Sequence, residues 1–206
     1  MTDQQSPEAL KLLHLGDSYT CAEGIDPANG WPALLAEFIR ATGRTVGKQR
    51  IIARTGWTSG ELLEALEEQD PGEGWNLVTL CIGVNNQYRG LSVDTFRDEL
   101  GQLIRRGREA SGDLWPGLHL LSIPDWGVSL FAEGRDRRRI ADEIDAFNQC
   151  LLSCGRDSEL PVHDLAALSR KLGARTGAFA SDGLHPSEIQ HRIWAEYIFR
   201  GIFSAE

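Results

Sequence analysis

An α/β protein built on a parallel sheet is what this sequence predicts, and three observations carry the prediction. Five short runs rich in Val, Ile and Leu, each of strand length, lie at residues 11–15, 50–53, 77–82, 118–123 and 160–165. Segments with apolar residues at helical spacing fall between them. The two kinds of element alternate along the chain, which implies right-handed crossovers and a sheet covered on both faces. The expected architecture is therefore a three-layer α/β/α sandwich around five parallel strands.

Each element has its own signal. After the first run, Leu34, Leu35, Phe38 and Ile39 mark a helix face. After the second, Thr58 and Glu61 have the spacing of a capping box and open a helix that carries Leu62, Leu63 and Leu66. Val93, Phe96, Leu100, Leu103 and Ile104 share a face after the third run, and Ile140, Ile144, Phe147 and Leu151 after the fourth. The last helix groups Ile189, Ile193, Tyr197 and Ile198, with His191 expected to be partly exposed. Strands that are apolar nearly throughout suit a sheet buried on both sides. The glycine- and proline-bearing stretches 70–74 and 112–117 read as loops, and residues 1–206 as one domain.

Bulk properties exclude several functions. The 206 residues are 41% hydrophobic and 25% charged, an ordinary globular composition. A net charge of −9 argues against nucleic acid as a partner, because that affinity rests on clustered cations. The one basic cluster, Arg135, Arg137, Arg138 and Arg139, is interleaved with Asp136 and reads as a solvated helix start. The N-terminus has early acids and no signal-peptide core, and no stretch approaches the roughly 20 apolar residues of a membrane span, so membrane insertion is not expected. Cys21, Cys81, Cys150 and Cys154 form no CxxC and read as free thiols in a reducing cytoplasm. Cys150 and Cys154 share a helix face without histidines nearby, so no metal site is expected. Oligomeric state is not legible in the sequence.

Ligands of open α/β sheets bind at the carboxyl ends of the strands. The residues there are Gly16-Asp17-Ser18, then Gly56-Trp57, then Gly83-Val84-Asn85-Asn86 with Tyr88, then Pro124-Asp125-Trp126, and finally Asp182-Gly183-Leu184-His185-Pro186. A serine hydroxyl becomes a nucleophile only when a base takes its proton, and the base needs a third group to orient it. His14, His119 and His163 fall within strands and read as core residues; His185 alone lies in a loop, three positions after Asp182. One turn of chain can thus present base and orienting carboxylate together. The backbone N–H groups of Ser18 and Gly56 and the Asn85 amide are candidate oxyanion donors. Asp17 reads as the cap of the helix that follows it. Tyr88, Trp126 and Trp57 are the candidate substrate-binding aromatics. Neither a P-loop nor GxGxxG occurs.

In order and spacing these blocks resemble the four sequence blocks of the SGNH (GDSL-like) hydrolases, over residues 14–186. The resemblance implies a flavodoxin-like fold and an esterase, thioesterase, lysophospholipase or carbohydrate deacetylase that needs no cofactor. It assigns Ser18 as nucleophile, His185 as base, Asp182 as its partner, and Ser18, Gly56 and Asn85 as the oxyanion hole. The sequence departs from the pattern at Tyr19, in place of the leucine of GDSL, and at Asn86, where many members have aspartate. The expected substrate is a small ester with a short acyl or acetyl group. Acyl transfer to an alcohol by the same residues, and a non-catalytic carbohydrate- or lipid-binding module, are the alternatives.

Overall fold

The computed structural model describes residues 9–112, 114–173 and 175–203. The extreme N-terminus, on which the reading of its polarity rests, and Asp113 in the second expected loop lie outside these. Five parallel strands, β1 (Leu10–Gly16), β2 (Val46–Ala53), β3 (Leu77–Cys81), β4 (Gly117–Leu121) and β5 (Val162–His163), form one sheet in the order β2-β1-β3-β4-β5. The chain begins in the middle, steps to one edge at β2, then crosses over β1 to β3 and continues outward. With right-handed crossovers, that reversal puts helices on both faces. One face carries α2 (Trp31–Ala41) packed on α8 (Glu188–Phe203); the other carries α3 (Ser59–Glu68), α5 (Val93–Ser111) and α6 (Arg137–Asp157) packed in succession. Short α1 (Ser18–Cys21) and α4 (Val84–Tyr88) follow β1 and β3 directly, and α7 (Leu165–Gly173) follows β5. The expected sandwich is the observed one.

Leu12, Leu13, Leu15, Leu77, Val78, Leu80, Leu120 and Leu121 are all fully enclosed, as strands covered on both sides must be. β4 ends at Leu121 rather than 123, and the boundaries differ most from expectation at the two edges. β2 starts at Val46 rather than 50, because Gly47, Lys48 and Gln49 form an edge too polar to register as an apolar run. β5 is shorter than 160–165, because Asp164 accepts the Ala167 N–H at 3.0 Å and so caps α7, turning Leu165 into a helical residue.

The last helix is rotated from its expected face. Ile189 and Tyr197 are exposed, and the buried stripe is His191, Trp194, Ala195, Ile198 and Ile202. Trp194, spaced i, i+4 with Ile198, supplies more apolar area than the isoleucines and sets the face. His191 is accordingly buried rather than partly exposed, and its Nδ1 accepts the Trp31 N–H at 3.1 Å.

The strand histidines are core residues, each held in one tautomer. His14 Nε2 accepts from the Gln49 amide at 3.1 Å, which leaves Nδ1–H to donate to Thr79 at 2.8 Å. His119 donates from Nε2 to the Pro116 carbonyl, so its Nδ1 accepts from His163 Nε2–H at 2.9 Å. Burial pushes His14 down to about 3 and His119, His163 and His191 to about 4. Between these values and about 6.5, the unfolded chain binds four protons that the fold refuses. Buried Asp17, pushed up to about 7, works in the opposite sense, holding one proton that the unfolded chain releases near 3.8. Unfolding near pH 5 should therefore take up about three protons, and stability should fall by a few kcal/mol per unit as pH drops from about 6.5 towards 4. Calorimetry across that window checks this; a Tm that does not move would show that the histidines titrate normally.

Candidate active site

The serine sits where β1 ends. A Cβ on Gly16 would collide with Thr20 and the Cys81 carbonyl, so only glycine lets the strand turn here against β3. Asp17 then caps α1, its Oδ1 accepting the Tyr19 N–H at 3.1 Å. Ser18 is the first residue of α1 and is nearly buried. Its N–H has no protein acceptor among the described residues, as befits the first donor of a helix.

His185 reaches the site on a short hairpin. Ala180 N–H donates to the His185 carbonyl at 2.8 Å, and Phe179 pairs with Pro186. Asp182 serves both loop and ring. Its Oδ1 accepts the N–H groups of Leu184 at 2.8 Å and His185 at 3.0 Å, and its Oδ2 lies 2.6 Å from His185 Nδ1. Partial burial pushes the carboxyl upward, but the hydrogen bonds from the His185 ring and the two N–H groups outweigh it and hold Asp182 below its ordinary value. Tyr19 packs edge-on against the imidazole with ring centres 6.2 Å apart, and against Trp194 at 5.9 Å. The aromatic at this position therefore braces the histidine from the core side.

The other two loops supply donors. Gly56 has φ +89°, and its carbonyl accepts from Arg89 at 2.5 Å, while its N–H meets no protein acceptor among the described residues. The Asn85 amide gives one proton to the Trp57 carbonyl at 2.9 Å, which fixes its plane and leaves the second proton free. No hydrogen bond closes between Ser18 Oγ and His185; contacts of this kind commonly tighten only with substrate present.

Ser18, Gly56, Asn85 and His185 line one cavity of about 190 Å³, walled by Tyr19, Tyr88, Trp126, Phe131 and Leu184. Tyr88 and Trp126 stand edge to face at 5.5 Å, and the Trp126 indole donates to Gln87 at 2.8 Å. The same pair also borders an open groove of about 790 Å³ lined by Leu91, Arg135, Arg139 and Glu143. Trp57, the third aromatic expected here, is not in the lining. Its half-buried side chain packs against the hydrophobic core, and its carbonyl accepts from Asn85. Arg135 is also not simply solvated: its guanidinium lies 4.6 Å over Phe131 and 5.6 Å over Trp126. Neither Phe131 nor Leu184 was expected as a wall of the cavity, because Phe131 lies in a single 3-10 turn (Leu130–Ala132) and Leu184 in a loop, with no periodicity to mark either.

Compared with known proteins, residues 14–193 match the GDSL-like lipase/acylhydrolase family. The chain belongs to that family. Among solved structures, this GDSL-like protein is similar to the lipase/acylhydrolase from Enterococcus faecalis, with 24% identity, 95% of this chain and 96% of that one covered, and a TM-score of 0.75. It is also similar to the acetylxylan esterase Axe2 from Geobacillus stearothermophilus, with 21% identity, 94% of each chain covered and a TM-score of 0.71. At these identities the likeness is one of fold. The search of curated proteins gives no match. Among the described residues of this GDSL-like chain, no helix is long and apolar enough to cross a membrane.

Proposed function

We propose that this GDSL-like protein is a serine esterase that cleaves short-acyl carboxylic esters, and thioesters by the same chemistry, through an acyl-enzyme on Ser18. One observation carries the reading. A serine, a histidine engaged by a carboxylate at 2.6 Å, and N–H groups without protein acceptors open onto a single cavity.

Asp182 accepts from His185 Nδ1–H, so the lone pair is on Nε2. Nε2 takes the hydroxyl proton as Ser18 Oγ attacks the acyl carbon, and the carbonyl π electrons move onto oxygen. That oxyanion accepts from Ser18 N–H, Gly56 N–H and the free Asn85 amide proton, groups already fixed by α1, the Arg89 contact and the Trp57 carbonyl. Collapse expels the alkoxide, which receives the proton from His185. Water, deprotonated by the same nitrogen, then attacks the acyl carbon and releases the acid and free Ser18. These groups and water supply every proton and electron pair, so the cycle calls for no cofactor.

A cavity of about 190 Å³ is below the roughly 300–1,000 Å³ of pockets for drug-sized ligands, which favours a small acyl group. The adjoining groove, with Arg135, Arg139 and Glu143 along it, suits a polar alcohol portion stacked against Tyr88 and Trp126. The net charge of −9 gives no reason to involve nucleic acid or an anionic membrane surface. Steady-state hydrolysis of p-nitrophenyl esters of increasing chain length tests this. Acetyl and butyryl esters should exceed decanoyl by roughly 10- to 200-fold in kcat/KM. A preference for decanoyl would contradict the short-acyl assignment, and no hydrolysis of any ester would contradict the esterase.

A further inference from the structure

Asn85 and Asn86 are consecutive, and they bind alternate residues where the neighbouring loop enters α3. Asn85 holds the Trp57 carbonyl, and Asn86 holds Ser59. Both Asn86 and Ser59 are completely buried. Asn86 Oδ1 accepts the Ser59 N–H at 2.9 Å, and Asn86 Nδ2 donates to Ser59 Oγ at 2.6 Å. The Ser59 hydroxyl in turn donates to Glu99, which comes from α5 and also lies 3.4 Å from Asn86 Nδ2. Every donor in this cluster has an acceptor, and the chain of bonds runs one way, from amide to hydroxyl to carboxylate.

The proposed catalytic donors stand at the ends of this cluster. Gly56 is three residues before Ser59, and Asn85 is one residue before Asn86. We propose that Asn86 and Ser59 are positioning residues that set the spacing between the Gly56 and Asn85 oxyanion donors, and that the amide at 86 is matched to the carboxylate at 99. The inference rests on the esterase reading and deepens it. The matching follows from donor counting. Glu99 can only accept, so Ser59 spends its one hydroxyl proton on it, and position 86 must then donate to Ser59 Oγ while accepting from Ser59 N–H. An amide does both; a carboxylate does only the second. Asn86→Asp would also set two carboxylates within the 3.4 Å now spanned by an amide–carboxylate contact. Making Glu99 an amide at the same time reverses the chain: the glutamine donates, Ser59 gives its proton to Asp at 86, and all groups are again paired.

The test compares the native protein, Asn86→Asp, Glu99→Gln and the double variant by Tm and by kcat and KM on an acetyl ester. Asn86→Asp should lower kcat by roughly 10- to 100-fold with KM nearly unchanged, the loss expected when donors shift by about 1 Å. Glu99→Gln alone should stay within about threefold, because its carbonyl still accepts from Ser59 and the amide at 86 still donates. The double variant should recover most of the lost kcat, a non-additivity that independent sites do not show. A purely structural role predicts a lower Tm with kcat of the folded enzyme unchanged, and that result overturns the proposal. So does a double variant no more active than Asn86→Asp. Should Asn86→Asp fail to fold, the double variant decides: folded and active supports the matched pair, unfolded or inactive overturns it. A native protein without ester hydrolysis overturns the esterase reading, and with it this inference, before any variant is compared.

Discussion

Replacing Ser18 by alanine should lower kcat/KM for acetyl esters by roughly 10⁴- to 10⁶-fold while leaving the protein folded. The magnitude follows from the loss of the covalent route: what remains is the oxyanion hole and binding, acting on water alone. The fold should not notice the change. Among the described residues Ser18 Oγ makes no hydrogen bond, so its removal strands no partner there, and the backbone N–H that opens α1 is kept. Steady-state kinetics together with a thermal melt check both halves. A variant that keeps more than about a hundredth of native activity at unchanged Tm would place the nucleophile elsewhere.

Asp182→Asn should be nearly as damaging, lowering kcat by roughly 10³- to 10⁴-fold with little effect on KM. The substitution separates the two jobs of this side chain. An asparagine Oδ1 can still accept the Leu184 and His185 N–H groups, so the hairpin that presents the histidine persists. The other arm becomes an NH₂ facing His185 Nδ1 where an acceptor stood at 2.6 Å. The ring then places its proton on Nε2, and the lone pair needed to receive the serine proton is gone. A kcat within tenfold of native would mean that Asp182 shapes the loop without setting the tautomer.

The readability of this protein follows the locality of its interactions. Strands buried on both faces announce themselves as apolar runs, and α3, α5 and α6 as stripes at helical spacing, so the sandwich was legible in outline. What was lost depends on competition between elements. α8 offered an isoleucine stripe and a Trp194 stripe, and only packing against α2 decides between them; His191 followed the choice into the core. The groups of the candidate site were legible for the same reason the strands were: Gly16-Asp17-Ser18 and Asp182 to His185 are contiguous motifs at strand ends. Trp57 stands apart from the other two aromatics: its half-buried side chain packs against the core while its backbone carbonyl meets Asn85. Asn86 stood out as a departure from the family pattern, but the proposed explanation lies in Glu99, a half-buried acid at the margin of the apolar stripe of α5, whose contact with Ser59 no local spacing rule gives.

The central claim is that Ser18 is an activated nucleophile, and intact mass after incubation with a fluorophosphonate tests it most directly. The reagent needs only the serine, the base and the oxyanion donors, so the outcome does not depend on guessing the natural ester. The account predicts one adduct on the native protein, none on Ser18→Ala, and greatly slowed labelling of His185→Ala. A folded native protein that takes up no adduct, or an adduct that persists on Ser18→Ala, would contradict it.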